Sequence, residues 1–135
     1  MTYFLDTNIC IYALKGRYPR IEEEIRRRRP SQIRIPSIVR AELQFGVRKS
    51  DRPEENHEAI ETFLAPFDVV PFDEKASVAY ADIRAELEED GRPIGPNDLI
   101  IAATVGSRRG VLVTHNRKEF EQVPSLDITD WTDET

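Results

Sequence analysis

The chain predicts an α/β domain built on a central, mainly parallel sheet flanked by helices. Three observations carry this. Short apolar runs recur at 3–5, 33–35, 68–70 and 111–113, each closed by Asp, Pro or Thr. Longer amphipathic stretches with helix-start residues lie between them, and strands that alternate with helices pair in parallel through crossovers. Finally, 135 residues with 39% hydrophobic content suffice for one core, so a single domain over 1–135 is expected.

Each element has its own signal. Tyr3-Phe4-Leu5 stops at Asp6 and reads as the first strand, followed by a short helix over Asn8–Leu14 that ends near Gly16. Arg20–Arg29 reads as a charged helix stopped by Pro30. Ile33-Arg34-Ile35 reads as a strand, and Ser37 as the N-cap of a helix over Ile38–Val47. Arg52–Asn56 is loop-like, with Pro53 opening a helix through Leu64. Asp68–Val70 is a strand, and Asp73 caps a long helix over Glu74–Glu89 with Ala76, Ala79, Tyr80, Ile83 and Leu87 on its stripe. After the Asp90–Pro93 loop, Pro96 opens a helix to about Val105. Val111–Val113 is a strand, Lys118–Phe120 a short helix, and Leu126–Ile128 the last strand.

Composition excludes several classes. The longest apolar runs, Leu99–Ala103 and Val111–Val113, fall far short of the roughly 20 residues of a membrane helix. The first residues lack the basic start and apolar stretch of a signal peptide, which points to the cytoplasm. A lone Cys10 excludes an internal disulfide framework and a multi-thiol zinc site. The formal net charge is −6, unevenly spread: residues 1–65 carry 12 Lys/Arg against 10 Asp/Glu, and residues 66–135 carry 7 against 15. An acidic chain is a poor nonspecific nucleic-acid binder, so any such binding needs a local basic patch. Arg26–Arg29 is the densest run, and it also reads as a solvated helix end favoured by the helix dipole.

In open parallel sheets, ligands sit beyond the carboxyl ends of strands, which directs attention to Asp6, Ser37, Asp73 and Thr114–Asn116. Asp6 suits either a cap or a site. Glu42 has Ile38, Val39, Phe45 and Gly46 as its helical neighbours and is expected on the apolar face, where an unpaired carboxylate is costly. A metal ion, or an ion pair with Arg34, Arg40 or Arg84, would relieve it. Asp98 falls in the first turn of the helix opened by Pro96, where the dipole favours it. Three acids converging at one end of the sheet, with two His and one Cys in the whole chain, favour a hard cation such as Mg²⁺, with Mn²⁺ as substitute.

Four motifs in order carry a resemblance: Leu5-Asp6-Thr7-Asn8, then Ser37-Ile38-Val39-Arg40-Ala41-Glu42-Leu43 with Gly46, then Asn97-Asp98-Leu99-Ile100-Ile101-Ala102-Ala103, then Leu112-Val113-Thr114-His115-Asn116 with Phe120, Val123-Pro124-Ser125-Leu126 and Trp131. Together they resemble the PIN-domain family, specifically VapC-type toxins of toxin–antitoxin pairs. The resemblance implies one PIN domain over the chain, a five-stranded parallel sheet and a Mg²⁺-dependent endoribonuclease. It also implies a homodimer restrained by a VapB-type antitoxin, and a structured RNA substrate such as tRNA, initiator tRNA included. It maps the acidic triad and the metal ligands onto Asp6, Glu42 and Asp98. Many members place a fourth acid where this chain has Asn116, a weaker ligand; Glu119, one turn later, is the candidate for the missing charge. Thr7 and Thr114 are candidates for bonding the carboxylates, or for turn and cap duty.

The expected reaction is attack of metal-activated water on an RNA phosphodiester, leaving 5′-phosphate and 3′-hydroxyl ends. The competing reading is a small phosphoacceptor signalling domain with Asp73 as acceptor, or an Asp-x-Asp phosphatase. The former wants an acid pair after the first strand, where Thr7-Asn8 follows Asp6, and Asn8 stands in place of the second Asp of the latter.

Overall fold

Five strands of three or four residues form one sheet in the order β3-β2-β1-β4-β5, with every pair parallel. They are β1 (Tyr3–Leu5), β2 (Ile33–Pro36), β3 (Asp68–Val70), β4 (Val111–Val113) and β5 (Asp127–Thr129). The computed structural model describes residues 1–132, so the last three positions of the expected 1–135 domain lie outside the described residues. The central strands are almost wholly apolar because helices cover both faces of such a sheet. Phe4, Leu5, Ile33, Ile35, Leu112 and Val113 are all fully buried.

Among the described residues seven α-helices flank the sheet: α1 (Thr7–Lys15), α2 (Pro19–Arg26), α3 (Ser37–Arg48), α4 (Pro53–Leu64), α5 (Glu74–Glu89), α6 (Pro96–Gly106) and α7 (Arg117–Phe120). α6 is apolar on nearly every side, with Leu99 and each residue from Ile101 to Val105 buried, and it packs along α5. The chain runs outward from β1 to β2 to β3, then crosses back to lay β4 on the other side of β1. The direction of strand progression therefore switches between β1 and β4, which opens a crevice above their carboxyl ends. Among the described residues no helix is long and apolar enough to cross a membrane.

Three expectations shift. α2 ends at Arg26 instead of Arg29, because Pro30 holds Arg29 in an extended backbone and opens a short 3-10 turn. The N-cap position of α3 is Pro36, with Ser37 as the first helical residue and no side-chain cap bond. The last strand starts one residue later than expected and runs to Thr129.

β1 and β4 meet closely at Gly110. An added Cβ there would lie 2.4 Å from Cε1 and 2.6 Å from Cδ1 of the buried Phe4 ring. Phe4 has no open side to move toward. Gly110→Ala is expected to cost about 1–3 kcal/mol through overpacking and to lower Tm by several degrees. Calorimetric melting of the two proteins checks this; an unchanged Tm would show that the ring yields freely.

Candidate active site

Asp6 follows β1 directly, and its backbone N–H donates to Val113 O at 3.1 Å, continuing the β1–β4 ladder past the last strand residue. The side chain stands over the crevice and is 6% exposed. Its Oδ1 accepts from Ile9 N–H at 2.9 Å, so it caps α1. Thr114, which follows β4, donates its hydroxyl to the same carboxylate. Burial outweighs these bonds, and with Asp130 and Glu42 nearby it raises the Asp6 pKa to about 6. Capping and a charged site thus coexist in one residue.

Glu42 is placed differently from expectation. The buried stripe of α3 is Val39, Leu43 and Val47, whereas Phe45 is 63% exposed. Glu42 is rotated off that stripe to the crevice rim and is half-buried. None of the three expected arginines pairs with it: Arg40 bonds Glu61 and Arg84 bonds Glu88, while Arg34 lies on β2 with its buried Nε lacking a hydrogen bond. Instead Thr7 Oγ1 donates to Oε1 at 2.6 Å and Asn97 Nδ2 donates to Oε2 at 3.1 Å. Two neutral donors from α1 and α6 therefore fix a carboxylate of α3 and leave its charge uncancelled.

Asp98 enters from the first turn of α6 and is half-buried. Burial raises its pKa to about 7, helped by a hydrogen bond to Glu119 and by the charges of Glu119, Asp6 and Glu42. Glu119 moves the other way. Its own burial is outweighed by bonds from Gly95 N–H at 2.7 Å, from Asn116 Nδ2 at 2.7 Å and from Asp98, so its pKa falls. One proton shared between the two carboxyls, resident on Asp98, accounts for both directions. Asn116 thus engages Glu119, and Thr114 Oγ1 also accepts from Asn116 N–H.

A further acid went unread in the sequence. Asp130 follows β5 as Asp6 follows β1, and its side chain is 8% exposed. It accepts from Thr132 N–H at 2.8 Å and from Thr132 Oγ1 at 2.6 Å, and it meets His115 Nδ1 at 3.0 Å. Its charge reaches Asp6. The rule that picked out Asp6, an acid immediately after a strand, would have found it. Asn97 was likewise visible only as a neighbour of Asp98.

The crevice thus gathers Asp6, Glu42, Asp98 and Glu119, with Asp130 behind them. Among the described residues no three acids, histidines or cysteines already stand in a ready-made metal cage. The donor set is nonetheless all hard oxygen, and burial, with the neighbouring acids adding to it, makes the charges of Asp6 and Asp98 costly in a way that a dication would relieve. Asp73, the acceptor of the competing reading, lies after the edge strand β3. It caps α5 through Ala76 N–H and pairs with Arg108, with no second acid bonded to it.

Comparison with known proteins agrees with this geometry. A model of the family described as PIN domain matches residues 3–126. The chain is 40% identical to the "Ribonuclease VapC2" of Rickettsia felis, covering 97% of this chain and 98% of that one. It is 40% identical to the "tRNA(fMet)-specific endonuclease VapC" of Salmonella typhimurium, with the same coverage. Among solved structures, VapBC2 from Rickettsia felis bound to a promoter DNA fragment superposes with a TM-score of 0.92 at 38% identity, over 97% of this chain and 99% of that one. The DNA-bound VapBC from Salmonella typhimurium gives 0.92 at 40% identity, over 97% and 98%. With the parallel sheet, the acids above its switch point and these likenesses in agreement, the chain belongs to the PIN-domain family, as a VapC-type ribonuclease toxin.

Proposed function

We propose that this chain is a Mg²⁺-dependent endoribonuclease acting in the cytoplasm on structured RNA of the tRNA kind, initiator tRNA included, and restrained by a VapB-type antitoxin. The observation that carries the proposal is the buried Asp6 at the β1–β4 switch, with Glu42 fixed by Thr7 and Asn97 and with Asp98 in the first turn of α6 beside it. Asp6, Asp98 and Glu42 are the residues to hold the ion, with Mn²⁺ as substitute; Glu119 and Asn116 stand beside Asp98 as the next candidates. When bound, such an ion lowers the cost of ionising water and of building charge on the phosphoryl group. Thr7 and Asn97 keep the Glu42 carboxylate aimed into the crevice. Thr114 and Ile9 N–H orient Asp6, and Glu119 keeps a proton on Asp98 while the ion is absent. His57, whose Nδ1 meets Gln44 Oε1 on the surface, has no part in this chemistry.

The partner reading rests on a groove. Ile11, Leu14, Leu43, Val47, Ala59 and Ile60, from α1, α3 and α4, line an apolar trough of about 430 Å³ that reaches Glu42. A segment lying along it would end over the carboxylates, which suits an antitoxin that blocks the crevice. A homodimer over 1–135 belongs to the same reading, and Phe72 (38% exposed) and Val78 (60% exposed) leave apolar surface for it at and before α5.

Two measurements test the proposal. Brief induction of the wild-type chain, beside Asp6→Asn, followed by sequencing of cellular RNA ends, is expected to yield discrete new 5′-phosphate ends that vanish in the variant. Ends bearing 2′,3′-cyclic phosphate would overturn the mechanism.

The second is pH dependence. Asp6 and Asp98 have folded-state pKa values above the ordinary 3.8, so their stabilising contribution is full below pH 4 and is lost as pH rises through about 6 and 7. Metal-free Tm is therefore expected to fall between about pH 4 and 7 and to level off above, and Asp6→Asn to flatten that fall. Ionising Asp6 in the folded chain costs about 3 kcal/mol relative to an exposed aspartate. Mg²⁺ is expected to restore more Tm at pH 8 than at pH 5, and cleavage to rise with pH over the same window. A Tm profile indifferent to Mg²⁺ at both pH values would sink the assignment.

A further inference from the structure

Beside the carboxylates lies a group of rings that the catalytic reading leaves without a task. Tyr12 of α1 and Tyr18, which precedes α2, stand 5.0 Å apart between ring centroids at 68°. His115, in the loop after β4, lies 6.3 Å from Tyr12 and 6.2 Å from Tyr18. Three chain segments therefore contribute one aromatic cluster. The Arg17 guanidinium sits over it, 5.4 Å from the Tyr12 ring and 5.9 Å from that of Tyr18.

The local backbone builds this arrangement deliberately. α1 ends in a left-handed residue, Gly16, at φ 64°. Gly16 N–H donates to Ala13 O and Arg17 N–H to Tyr12 O, the paired bonds of a Schellman turn. That turn reverses the chain so that Arg17 and Tyr18 fold back over Tyr12. Pro19 then starts α2 and holds Tyr18 extended. His115 is fixed from below. The Thr132 hydroxyl donates to Asp130, so the Nδ1 proton of His115 is the one that faces Thr132 Oγ1 at 2.7 Å and Asp130 Oδ2 at 3.0 Å. The ring is thereby oriented while remaining 51% exposed.

Core packing accounts for one side of Tyr12 and Tyr18, which rest against the core, and leaves their outer faces, His115 and Arg17 without a task. The aromatic residues of the core, Phe4, Phe120 and Trp131, are fully buried, whereas Tyr12 and Tyr18 are half-buried and His115 and Arg17 are exposed. The cluster is also continuous with the crevice: His115 bonds Asp130, and the charge of Asp130 reaches Asp6. Half-exposed aromatic faces with a guanidinium over them are the chemistry that holds unpaired nucleobases, each base stacking on a ring while the cation meets the adjacent phosphate. We propose that Tyr12, Tyr18 and His115, with Arg17, form a platform that captures an unpaired nucleobase of the RNA next to the scissile phosphate.

This inference rests on the ribonuclease reading above, and its test separates the two. The Asp6→Asn chain keeps RNA intact, and its affinity is read by fluorescence anisotropy. The probe is a short fluorescein-labelled single-stranded oligoribonucleotide of mixed sequence, with an abasic counterpart of equal charge. Tyr18→Leu is expected to weaken binding of the normal probe about tenfold while leaving the abasic probe unchanged, and Tyr18→Trp to keep wild-type affinity. Ultraviolet crosslinking of the same probe, followed by peptide mapping, needs no ring variant and is expected to mark the 12–18 segment or His115. Equal affinity for Leu and Trp variants, or crosslinks confined elsewhere, overturns the platform while leaving the nuclease intact; the rings would then be free for a peptide of the partner protein. A wild-type chain that neither binds nor cuts RNA overturns both.

Discussion

Asp6 cannot be moved, and it cannot easily be charged. It stands where β1 stops and α1 starts, so its carboxylate must cap a helix; it stands at the switch between β1 and β4, so it must also face the crevice. Burial there makes its negative charge expensive, and the fold answers with two donors, Ile9 N–H and the Thr114 hydroxyl, and with no ion pair to Asp6 among the described residues. The remaining acids are arranged in the same spirit. Glu42 is held by a hydroxyl and an amide, and Asp98 by a proton shared with Glu119. An arginine in any of these positions would have stabilised the free protein and filled the place a dication needs. The uncancelled charge is the feature on which the chemistry depends.

The basic residues are spent elsewhere. The dense run at Arg26–Arg29 reads in the sequence as a patch for RNA or as a solvated helix end, and the ion pairs favour the second. Arg26 bonds Glu22, and Arg27 and Arg28 converge on Glu24. Arg28 also lies 4.3 Å from the Tyr3 ring centroid and 4.9 Å from that of Trp131, which ties α2 to β1 and to the segment after β5. Arg28 thus holds elements together, while Arg26 and Arg27 pair along α2 itself.

Much of this was legible in the sequence, and the gaps have physical causes. Four strands follow from short apolar runs closed by Asp, Pro or Thr, and the helices between them from their caps, prolines and stripes. Asp6 and Asp98 were readable because a strand end and a proline-opened helix each fix a position to within a residue. Glu42 was placed on the wrong face because Ile38, Phe45 and Gly46 look like a stripe, while the helix turns Val39, Leu43 and Val47 inward and leaves Phe45 outside. Asp130 was missed because the last strand is expected over Leu126–Ile128 and runs one residue further, to Thr129, so that Asp130 and not Thr129 follows it. The Asp98–Glu119 pair joins residues from two helices, and no local pattern foretells which carboxyls will meet.

The topology also governs how the chain reaches this state. β1 pairs with β2 and β4, so Tyr3 must find Ile33 and Val111 before either contact repays the entropy of closing the loop between them. Among the described strands there is no hairpin to form first. Such a fold is expected to assemble slowly and as a unit. Its acids come from the β1–α1 junction, α3, α6 and α7, and thus from nearly the whole length of that search. A half-folded chain has no partial crevice, and hydrolytic competence arrives only with the last long-range pairing, as an all-or-none property of the folded molecule.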